Sequence, residues 1–242
     1  MSFRLDGLRA VVTGAGRGIG RGCALALAAA GADVVAVSRT RAEVEHVAAA
    51  TRGEAVVCDV TDPLAVAERI GSLETIDVLV TSAGANVPQP FLEVGAAQLD
   101  ALLALNVKGT FLAAQAAARR MVAGGGGSIV TLSSQMGHVG APRRSVYCAT
   151  KHAVEGLTRA LAVELAPHGI RVNAVAPTFV ETPMTRPFLA DPAFRAAVLE
   201  RIPLGRLGTV ADVAGAVVFL ASPAAALITG ASLLVDGGWT AQ

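Results

Sequence analysis

The feature that most constrains the fold is a regular alternation between two kinds of apolar segment. Short runs rich in β-branched residues recur between longer, alanine-rich amphipathic runs. The short runs do not alternate polar with apolar residues, which is typical of strands buried on both faces of a parallel sheet. They predict strands at Arg9–Thr13, Val34–Ser38, Ala55–Cys58, Val78–Ser82, Ile129–Ser133, Val172–Val175 and Ser232–Val235. The longer runs predict helices at Ile19–Ala30, Arg41–Thr51, Leu64–Gly71, Ala96–Ala123, Val146–Ala166 and Val210–Ala221.

This order of strands and helices indicates how the chain is organised. Repeated strand–helix–strand units with right-handed crossovers predict an α/β fold, with a doubly wound, seven-stranded parallel sheet and helices on both faces. Hydrophobic residues make up 53% of the 242, which is enough for one large core. No repeat, charged block or linker interrupts the pattern, and the glycines at 124–127 are a helix exit. We therefore expect a single domain spanning residues 1–242.

Charge and cysteine usage exclude several classes of function. The chain has 20 basic and 19 acidic residues, so it lacks the excess of positive charge that a nucleic-acid partner requires. We find no long uninterrupted apolar run typical of a membrane span, and the N-terminal sequence leads directly into a strand pattern. Cys23, Cys58 and Cys148 have neither metal-ligand nor disulfide spacing. These observations predict a cytoplasmic protein without metal, nucleic-acid or membrane partners.

A glycine-rich segment, TGAGRGIG, joins the first strand to the first helix at residues 13–20. Backbone N–H groups at a helix N-terminus attract anions, and glycine lets the backbone approach a pyrophosphate closely. The spacing of Gly14, Gly18 and Gly20 differs from the usual Gly-x-Gly-x2-Gly motif, although Gly16 is also present. The segment nevertheless predicts a dinucleotide site, because a strand precedes it and a helix follows it.

The end of the second strand indicates which dinucleotide is preferred. Enzymes that use NAD commonly have an acidic residue there to bind the ribose 2′-hydroxyl. This chain has Ser38 followed by Arg39, and Arg17 lies in the glycine-rich segment. Two guanidinium groups and a hydroxyl suit a 2′-phosphate, so we favour NADP(H) over NAD(H). The alternative is that both arginines are solvated surface charges.

The segment SVYCATK contains Tyr147, the only tyrosine in the chain, and Lys151 lies four residues later. On a helix the two side chains share one face, and Ser134 precedes them after the fifth predicted strand. A neighbouring ammonium stabilises phenolate and lowers its pKa, which favours acid–base catalysis near neutral pH. Ser134 would then polarise a substrate oxygen. The alternative is that Tyr147 only fills the core.

With the glycine segment, Ser134 and the Tyr147–Lys151 pair in this order, the sequence resembles the short-chain dehydrogenase/reductase family over essentially its full length. The segments VVAVSRT, QPFLEV and RIPLG are similar to the branch of L-xylulose and carbonyl reductases. The resemblance implies a Rossmann-type domain, an NADPH-dependent homotetramer, and a catalytic set of Asn106, Ser134, Tyr147 and Lys151. Asn106 would help to hold a water that links Lys151 to solvent.

The resemblance also implies a set of cofactor-binding and substrate residues. The cofactor candidates are Gly14, Arg17, Gly18, Ile19, Gly20, Ser38, Arg39, Asp59, Val60, Ala83, Gly84, Tyr147, Lys151, Pro177, Val180 and Thr182. The loop after Ser134 adds the substrate candidates Gln135, Met136 and His138, with an exposed loop histidine as the alternative for His138. The resemblance adds Arg144 and Leu189. Arg144 and Leu189 replace a His and a Trp of the branch's sugar pocket, which leaves the substrate open. The family's Asn-Asn-Ala-Gly reads Thr-Ser-Ala-Gly at residues 81–84.

Three functional hypotheses follow. The first is an NADP(H)-dependent oxidoreductase that transfers hydride between nicotinamide and a small ketone, diketone or keto-sugar. The second is a 3-oxoacyl-thioester reductase or a sugar-alcohol dehydrogenase on the same scaffold. The third is a non-catalytic, dinucleotide-sensing regulator, which would need none of the groups for proton transfer. Alanines at 113, 114 and 116–118 allow close helix approach and suit a helical interface in the tetramer.

Overall fold

The structure is a computed structural model that describes residues 2–242. Its centre is a parallel sheet built from the β-branched runs of the sequence, most of whose residues are buried. Within the described residues the sheet has seven strands, in agreement with the prediction. The strands are β1 (Arg9–Thr13), β2 (Asp33–Ser38), β3 (Glu54–Val57), β4 (Val78–Thr81), β5 (Gly127–Leu132), β6 (Ile170–Pro177) and β7 (Ser232–Val235).

Helices connect the strands as the alternation predicts. They are α1 (Gly18–Ala29), α2 (Arg41–Thr51), α3 (Pro63–Arg69), α4 (Ala96–Leu103), α5 (Gly109–Gly124), α6 (Ser145–Leu165), α7 (Arg186–Leu189), α8 (Pro192–Glu200) and α9 (Val210–Ala221). Side-chain caps begin several of them. Asp62 accepts from two N–H groups of α3, and Thr209 and Asp212 form a capping box on α9.

The strand order is β3-β2-β1-β4-β5-β6-β7, and every neighbouring pair is parallel. β1 therefore lies between β2 and β4, and the chain winds outward from it in both directions. In such sheets a crevice opens at the carboxyl ends of the strands, where the winding changes direction. The loops that follow β1, β4, β5 and β6 meet at this edge.

Two apolar layers cover the sheet. One contains α1 and α9, with side chains such as Leu27 and Val217 fully buried, and the other contains α3, α5 and α6, with Met121 and Ile170. A third, smaller cluster is formed mainly by apolar side chains from residues 179–207. The doubly wound arrangement with helices on both faces confirms the predicted fold class.

Besides shifts of one or two residues at the ends of several elements, the structure differs from the prediction at two places. The long helix predicted from Ala96 is interrupted by a π-helical turn at Ala104–Lys108. Helices α7 and α8 were not among the predicted elements, although Asp191 caps α8 and a proline occupies its first turn. By length and composition the helical stretch Ala96–Gly124 could cross a membrane, but half of its most apolar window is buried inside the fold.

Candidate active site

The loop between β1 and α1 forms one end of a cleft at the carboxyl edge of the sheet. Gly14 has a φ of +68°, which favours glycine. A Cβ atom on Gly20 would lie 2.2 Å from the carbonyl oxygen of Gly14, so a side chain there would collide with backbone. No side chain caps the first turn of α1, whose N–H groups remain available to an anion. This geometry fits the pyrophosphate site that the sequence predicts.

The cleft continues from this loop across the ends of β4, β5 and β6 and has a volume of about 430 Å³. It brings together most of the predicted cofactor residues and three of the predicted catalytic ones. These are Gly14, Arg17, Gly18, Ile19, Gly20, Ser38, Arg39, Val60, Ala83, Gly84, Ser134, Tyr147, Lys151, Pro177, Val180 and Thr182. Residues that are distant in the sequence therefore line one surface, as the predicted dinucleotide site requires.

The glycine-loop end of the cleft, defined by Arg17, Ser38, Arg39 and Glu43, carries charges of both signs. The Arg39 guanidinium lies 3.6 Å from a carboxylate oxygen of Asp59, a predicted cofactor residue that does not itself line the cleft. Glu43 packs against the loop, since a Cβ atom on the neighbouring glycine at position 16 would lie 2.7 Å from its Oε2 atom. Two arginines and two carboxylates thus occupy this region.

The opposite end, which we call the Tyr147 end, begins where β5 stops. Ser134 is 6% exposed, and its Oγ atom donates to Oε1 of Gln135 at 3.0 Å and accepts from the N–H of Met136 at 3.1 Å. Gln135 and Met136 are predicted substrate residues, but both are buried and neither lines the cleft. Gln135 and Met136 therefore hold the Ser134 hydroxyl from the side facing away from the cleft.

Tyr147 and Lys151 lie on α6 one turn apart, as predicted, with the Lys151 Nζ atom 5.6 Å from the centre of the Tyr147 ring. Burial raises the pKa of Tyr147 to about 12, with Ser134 acting in the opposite direction. The sequence predicted a lowered pKa, whereas in the structure desolvation outweighs the opposing effects of Ser134 and Arg144. Burial also lowers the pKa of Lys151 to about 8, against the opposing charge of Glu155.

The Lys151 side chain is held by the sheet rather than by the tyrosine. Its Nζ atom donates to the carbonyl oxygen of Leu132, the last residue of β5, at 2.6 Å, and the side chain is almost fully buried. This bond ties the start of α6 to the end of β5, which Ser134 closely follows. Ser134, Tyr147 and Lys151 are therefore held in place by the same junction between β5 and α6.

Asn106 lies behind the cleft, in the π-helical turn, and is 1% exposed. Its amide accepts from the N–H of Ala85 and donates to the carbonyl of Ala85, both at 2.9 Å, and donates to Thr150 Oγ1 at 3.1 Å. It thus clamps the loop after β4 onto α6. Its role in a water relay stays a prediction.

The remaining substrate candidates, His138, Arg144 and Leu189, also lie outside the cleft lining. His138 is turned toward Glu155 and Ser232, with its Nε2 atom 3.2 Å and 3.0 Å from their side-chain oxygens. Leu189 belongs to the third apolar cluster. Arg144 is the N-cap residue of α6 and is buried.

Several cleft residues were not among the sequence candidates: Gly16, Glu43, Ser82, Ala85, Asn86, Thr178, Met184 and Thr185. Glu43 could have been predicted from the sequence: it lies in the first turn of the helix that follows Ser38 and Arg39, so its side chain is close to theirs. Asn86 Oδ1, Ser133 Oγ and Thr178 Oγ1 are buried without a hydrogen-bond partner in the described part of the chain, and all three residues line the cleft. Three unsatisfied polar atoms in one cleft fit a polar ligand.

The residues present therefore fit a bound dinucleotide, with a glycine loop at one end and unpaired polar atoms elsewhere in the cleft. Among residues 2–242 there is no group of three or more side chains that could hold a metal ion. A dinucleotide cleft that ends at a serine, a tyrosine and a lysine defines an oxidoreductase of the dehydrogenase and reductase class.

Comparison with known proteins gives the family. A family model described as enoyl-(acyl carrier protein) reductase matches residues 14–240. L-xylulose reductase of Bos taurus is 45% identical over 243 residues and covers 100% of both chains. Carbonyl reductase (NADPH) 2 of Sus scrofa is 40% identical over 244 residues with the same coverage. This chain belongs to the short-chain dehydrogenase/reductase family, which confirms the resemblance drawn from its motifs.

A solved structure agrees with these relatives. Gluconate 5-dehydrogenase of Burkholderia cenocepacia, in complex with NADP and tartrate, is 37% identical and has a TM-score of 0.96, covering 99% of this chain and 98% of that one. The fold of this chain is thus that of an enzyme crystallised with a dinucleotide.

Proposed function

We propose that this protein is an NADP(H)-dependent carbonyl reductase that transfers hydride between the nicotinamide and a small ketone, diketone or keto-sugar. The observation that carries the proposal is the Tyr147 end of the cleft. There Ser134, Tyr147 and Lys151 converge at the end of β5, and the glycine loop lines the same cleft. In the proposed enzyme, residues 1–242 form one catalytic domain.

Tyr147 acts as the proton donor in reduction. Its raised pKa, caused mainly by burial, keeps the phenol protonated at neutral pH. A protonated phenol can give its proton to the alkoxide that forms when a carbonyl carbon accepts hydride. The bound dinucleotide supplies that hydride. Ser134 turns its hydroxyl from Gln135 to the substrate oxygen and stabilises the developing charge.

Lys151 and Asn106 support this proton transfer. Burial lowers the pKa of Lys151 to about 8, so the amine can gain and lose a proton near the operating pH. Its bond to Leu132 holds it beside Tyr147. Asn106 keeps the loop after β4 against α6 and so shapes the wall of the cleft.

The glycine-loop end supports a preference for NADP(H). Arg17 and Arg39 line it together with Ser38, and guanidinium groups suit the 2′-phosphate. The Sus scrofa relative is an NADPH carbonyl reductase by name, and the Burkholderia cenocepacia relative was crystallised with NADP. The pyrophosphate and the rest of the cofactor would contact Gly14, Gly18, Ile19, Gly20, Val60, Ala83, Gly84, Pro177, Val180 and Thr182.

A panel of substrates tests the reaction class. Small ketones, diketones, keto-sugars and a 3-oxoacyl thioester are incubated with NADPH and with NADH, and the absorbance of the reduced nicotinamide is followed. We expect turnover of the first three groups, faster with NADPH. Turnover of the thioester alone would favour the 3-oxoacyl-thioester reductase, and oxidation of polyols without ketone reduction would favour the sugar-alcohol dehydrogenase.

A single substitution tests the cofactor assignment separately. Arg39→Asp should erode the preference for NADPH, because a carboxylate repels the 2′-phosphate and accepts from a 2′-hydroxyl. The ratio of kcat/KM with NADPH to that with NADH measures the effect. An unchanged ratio would refute the proposed contact between Arg39 and the phosphate.

We also propose a cytoplasmic homotetramer in which the three free thiols stay reduced. Apolar side chains are exposed on α4, α5 and α6, where Leu103 is 38%, Phe111 44% and Val163 79% exposed. Exposed apolar surface of this kind marks protein interfaces. Size-exclusion chromatography with light scattering should give the mass of four chains, and a monomer would contradict the assembly.

A further inference from the structure

The N-terminus of α6 carries two positive charges and no negative charge to balance them. Arg143 and Arg144 directly precede this 21-residue helix, its first turn contains no acidic residue, and no side chain caps it. Cations at a helix N-terminus are unfavourable, because the helix dipole already places partial positive charge there. Tyr147, the proposed proton donor, lies close to this terminus.

Arg144 is buried and has no charged partner. The side chain is 6% exposed, and its Nε atom is buried without a hydrogen-bond partner in the part of the chain that the structure describes. Its Nη1 atom donates to the carbonyl oxygen of Arg143 at 3.3 Å, and none of the salt bridges formed by residues 2–242 includes it. A buried cation without a counter-charge is costly unless a ligand or another chain supplies one.

The Arg144 guanidinium is covered on one face and lacks a hydrogen-bond partner at its Nε atom. The central carbon lies over the ring of Phe188, 5.2 Å from the ring centre, so the aromatic side chain covers the group from one side. The Nε–H bond, which lies in the guanidinium plane, has no acceptor. A planar anion engages such an edge through two parallel hydrogen bonds.

A strained backbone holds Arg144 at this position. Arg143 has a φ of +60°, a left-handed conformation that is uncommon for residues other than glycine. Its carbonyl oxygen accepts from the N–H of Gln89, in the loop after β4, at 3.0 Å. Strained backbone of this kind concentrates at functional sites, where the surroundings stabilise it.

We propose that Arg144 binds the carboxylate of the substrate, so that the preferred substrates are small keto or hydroxy carboxylic acids. This inference rests on the proposed function and narrows its substrate class. Arg144 does not line the cleft itself, but it lies three residues before Tyr147 at the start of α6, and its charge acts to lower the pKa of that tyrosine. The carboxylate would extend from the cleft to the guanidinium of Arg144 while the carbonyl carbon lies against Ser134 and Tyr147. A carboxylate suits the site better than a phosphate ester, because Arg144 is almost fully buried and supplies one positive charge, whereas a phosphate ester brings nearly two negative charges.

Kinetics with three six-carbon ketones test the assignment: 5-keto-D-gluconate with a carboxylate, D-fructose with no charge, and D-fructose 6-phosphate with a phosphate. The wild-type enzyme should prefer the keto acid in kcat/KM. In Arg144→Gln the ratio of kcat/KM for the keto acid over fructose should fall by about 10- to 100-fold, the range for hydrogen bonds to a charged partner. An unchanged ratio, or a wild-type preference for the phosphate, would overturn the proposal.

Arg143→Asn is the matched control. It removes one positive charge from the same helix terminus, but at an exposed side chain, and asparagine tolerates the left-handed backbone. The ratio should change by less than about threefold, because an exposed charge is screened by water. An equal fall in both variants would mean that general positive potential, and not Arg144, selects the substrate.

Two further measurements separate this inference from the proposed function. If the wild-type enzyme reduces no ketone with either dinucleotide, the proposed function fails, whereas the anion site is still tested by calorimetric titration with tartrate. Tartrate binding by the wild type that is lost in Arg144→Gln supports the site, and equal binding overturns it. If Arg144→Gln does not fold, the wild-type enzyme is compared on the keto acid and on its methyl ester, which lacks the negative charge. A higher kcat/KM for the acid supports the site, and an equal or higher kcat/KM for the ester overturns it.

Discussion

The two ends of the cleft are built in different ways. The glycine-loop end combines the backbone of the loop between β1 and α1 with side chains from the end of β2 and the start of α2, and its charges are mixed, with Arg39 beside Asp59 and Glu43 beside the loop. The Tyr147 end consists of side chains from β5, α6 and the loops around them, and the buried charge of Arg144 is unmatched. The first end suits a ligand common to many enzymes, and the second suits one particular substrate.

This difference indicates where the specificity of such an enzyme is determined. Backbone N–H groups bind any pyrophosphate, and they change little when side chains are replaced. In the proposed enzyme, side chains at the Tyr147 end would determine both the proton transfer and the charge of the substrate. The two ends should therefore respond independently to substitution, and the following variants test that independence.

Replacing Tyr147 by Phe should separate the two ends most clearly. Loss of the phenolic proton should lower kcat by about 10³-fold, within the range for general acid catalysis, while the dissociation constant for NADPH changes little. Steady-state kinetics and fluorescence titration measure the two quantities. Cys148→Ser, which changes the adjacent residue of α6 outside the cleft lining, is the control. Activity of Tyr147→Phe within tenfold of the wild type would contradict the mechanism.

Replacing Gly20 by Ala should damage the opposite end. The new Cβ atom would lie 2.2 Å from the Gly14 carbonyl oxygen, so the loop must move and lose hydrogen bonds to the pyrophosphate. We expect the dissociation constant for NADPH to rise about 100-fold. Gly215→Ala is the control, because nothing lies within 4 Å of its Cβ position. Unchanged binding in Gly20→Ala, with a native circular dichroism spectrum, would show that the loop does not contact the cofactor.

Replacing Lys151, also at the Tyr147 end, by Met should raise the free energy of unfolding. Burial lowers its pKa to about 8, so the unfolded chain binds more protons than the native one between that pH and about 10.5, the ordinary value. The cost of burying the ammonium is therefore full below pH 8 and decreases as the pH rises. At pH 7 Lys151→Met should gain about 1–2 kcal/mol, after loss of the bond to Leu132.

Urea unfolding at pH 7 and at pH 9.5 measures this gain, which should be smaller at the higher pH. Lys108→Met is the control, because Lys108 is exposed. A Lys151→Met protein that is less stable than the wild type at pH 7 would show that the ammonium is well compensated in the fold.

Glu43→Gln should change cofactor affinity least among these variants, and it tests whether the negative charge at the glycine-loop end opposes binding of the 2′-phosphate. Removing a carboxylate from the glycine-loop end should tighten NADPH binding by about three- to fivefold and leave NADH binding almost unchanged, because only NADPH carries the 2′-phosphate. The gain should shrink at high salt. Glu45→Gln, on the same helix but paired with Arg41, is the control. Equal gains for both dinucleotides would place Glu43 away from the phosphate.

The same contrast explains how much could be predicted from the sequence. The boundaries of β1 and β7 and the glycine loop follow from local composition, because a buried parallel strand and a strand–helix turn each require particular residue types. The clamp between Asn106 and Ala85 joins separate segments and leaves no local pattern. The five substrate candidates were chosen by loop position or by resemblance, and none of them lines the cleft. Long-range packing that the sequence does not reveal decides this, since His138 turns toward Glu155 and Leu189 packs in the third apolar cluster.

The π-helical turn at Ala104–Lys108 has a consequence for the length of the chain itself. A π-helical turn holds one more residue than an α-helical turn and so accommodates that residue locally. A deletion within this turn would restore regular helix there and remove the backbone shape that brings Asn106 to Ala85 and Thr150. The length of this helical stretch is therefore as specific as its sequence, and single-residue deletions here should be tolerated less well than most substitutions.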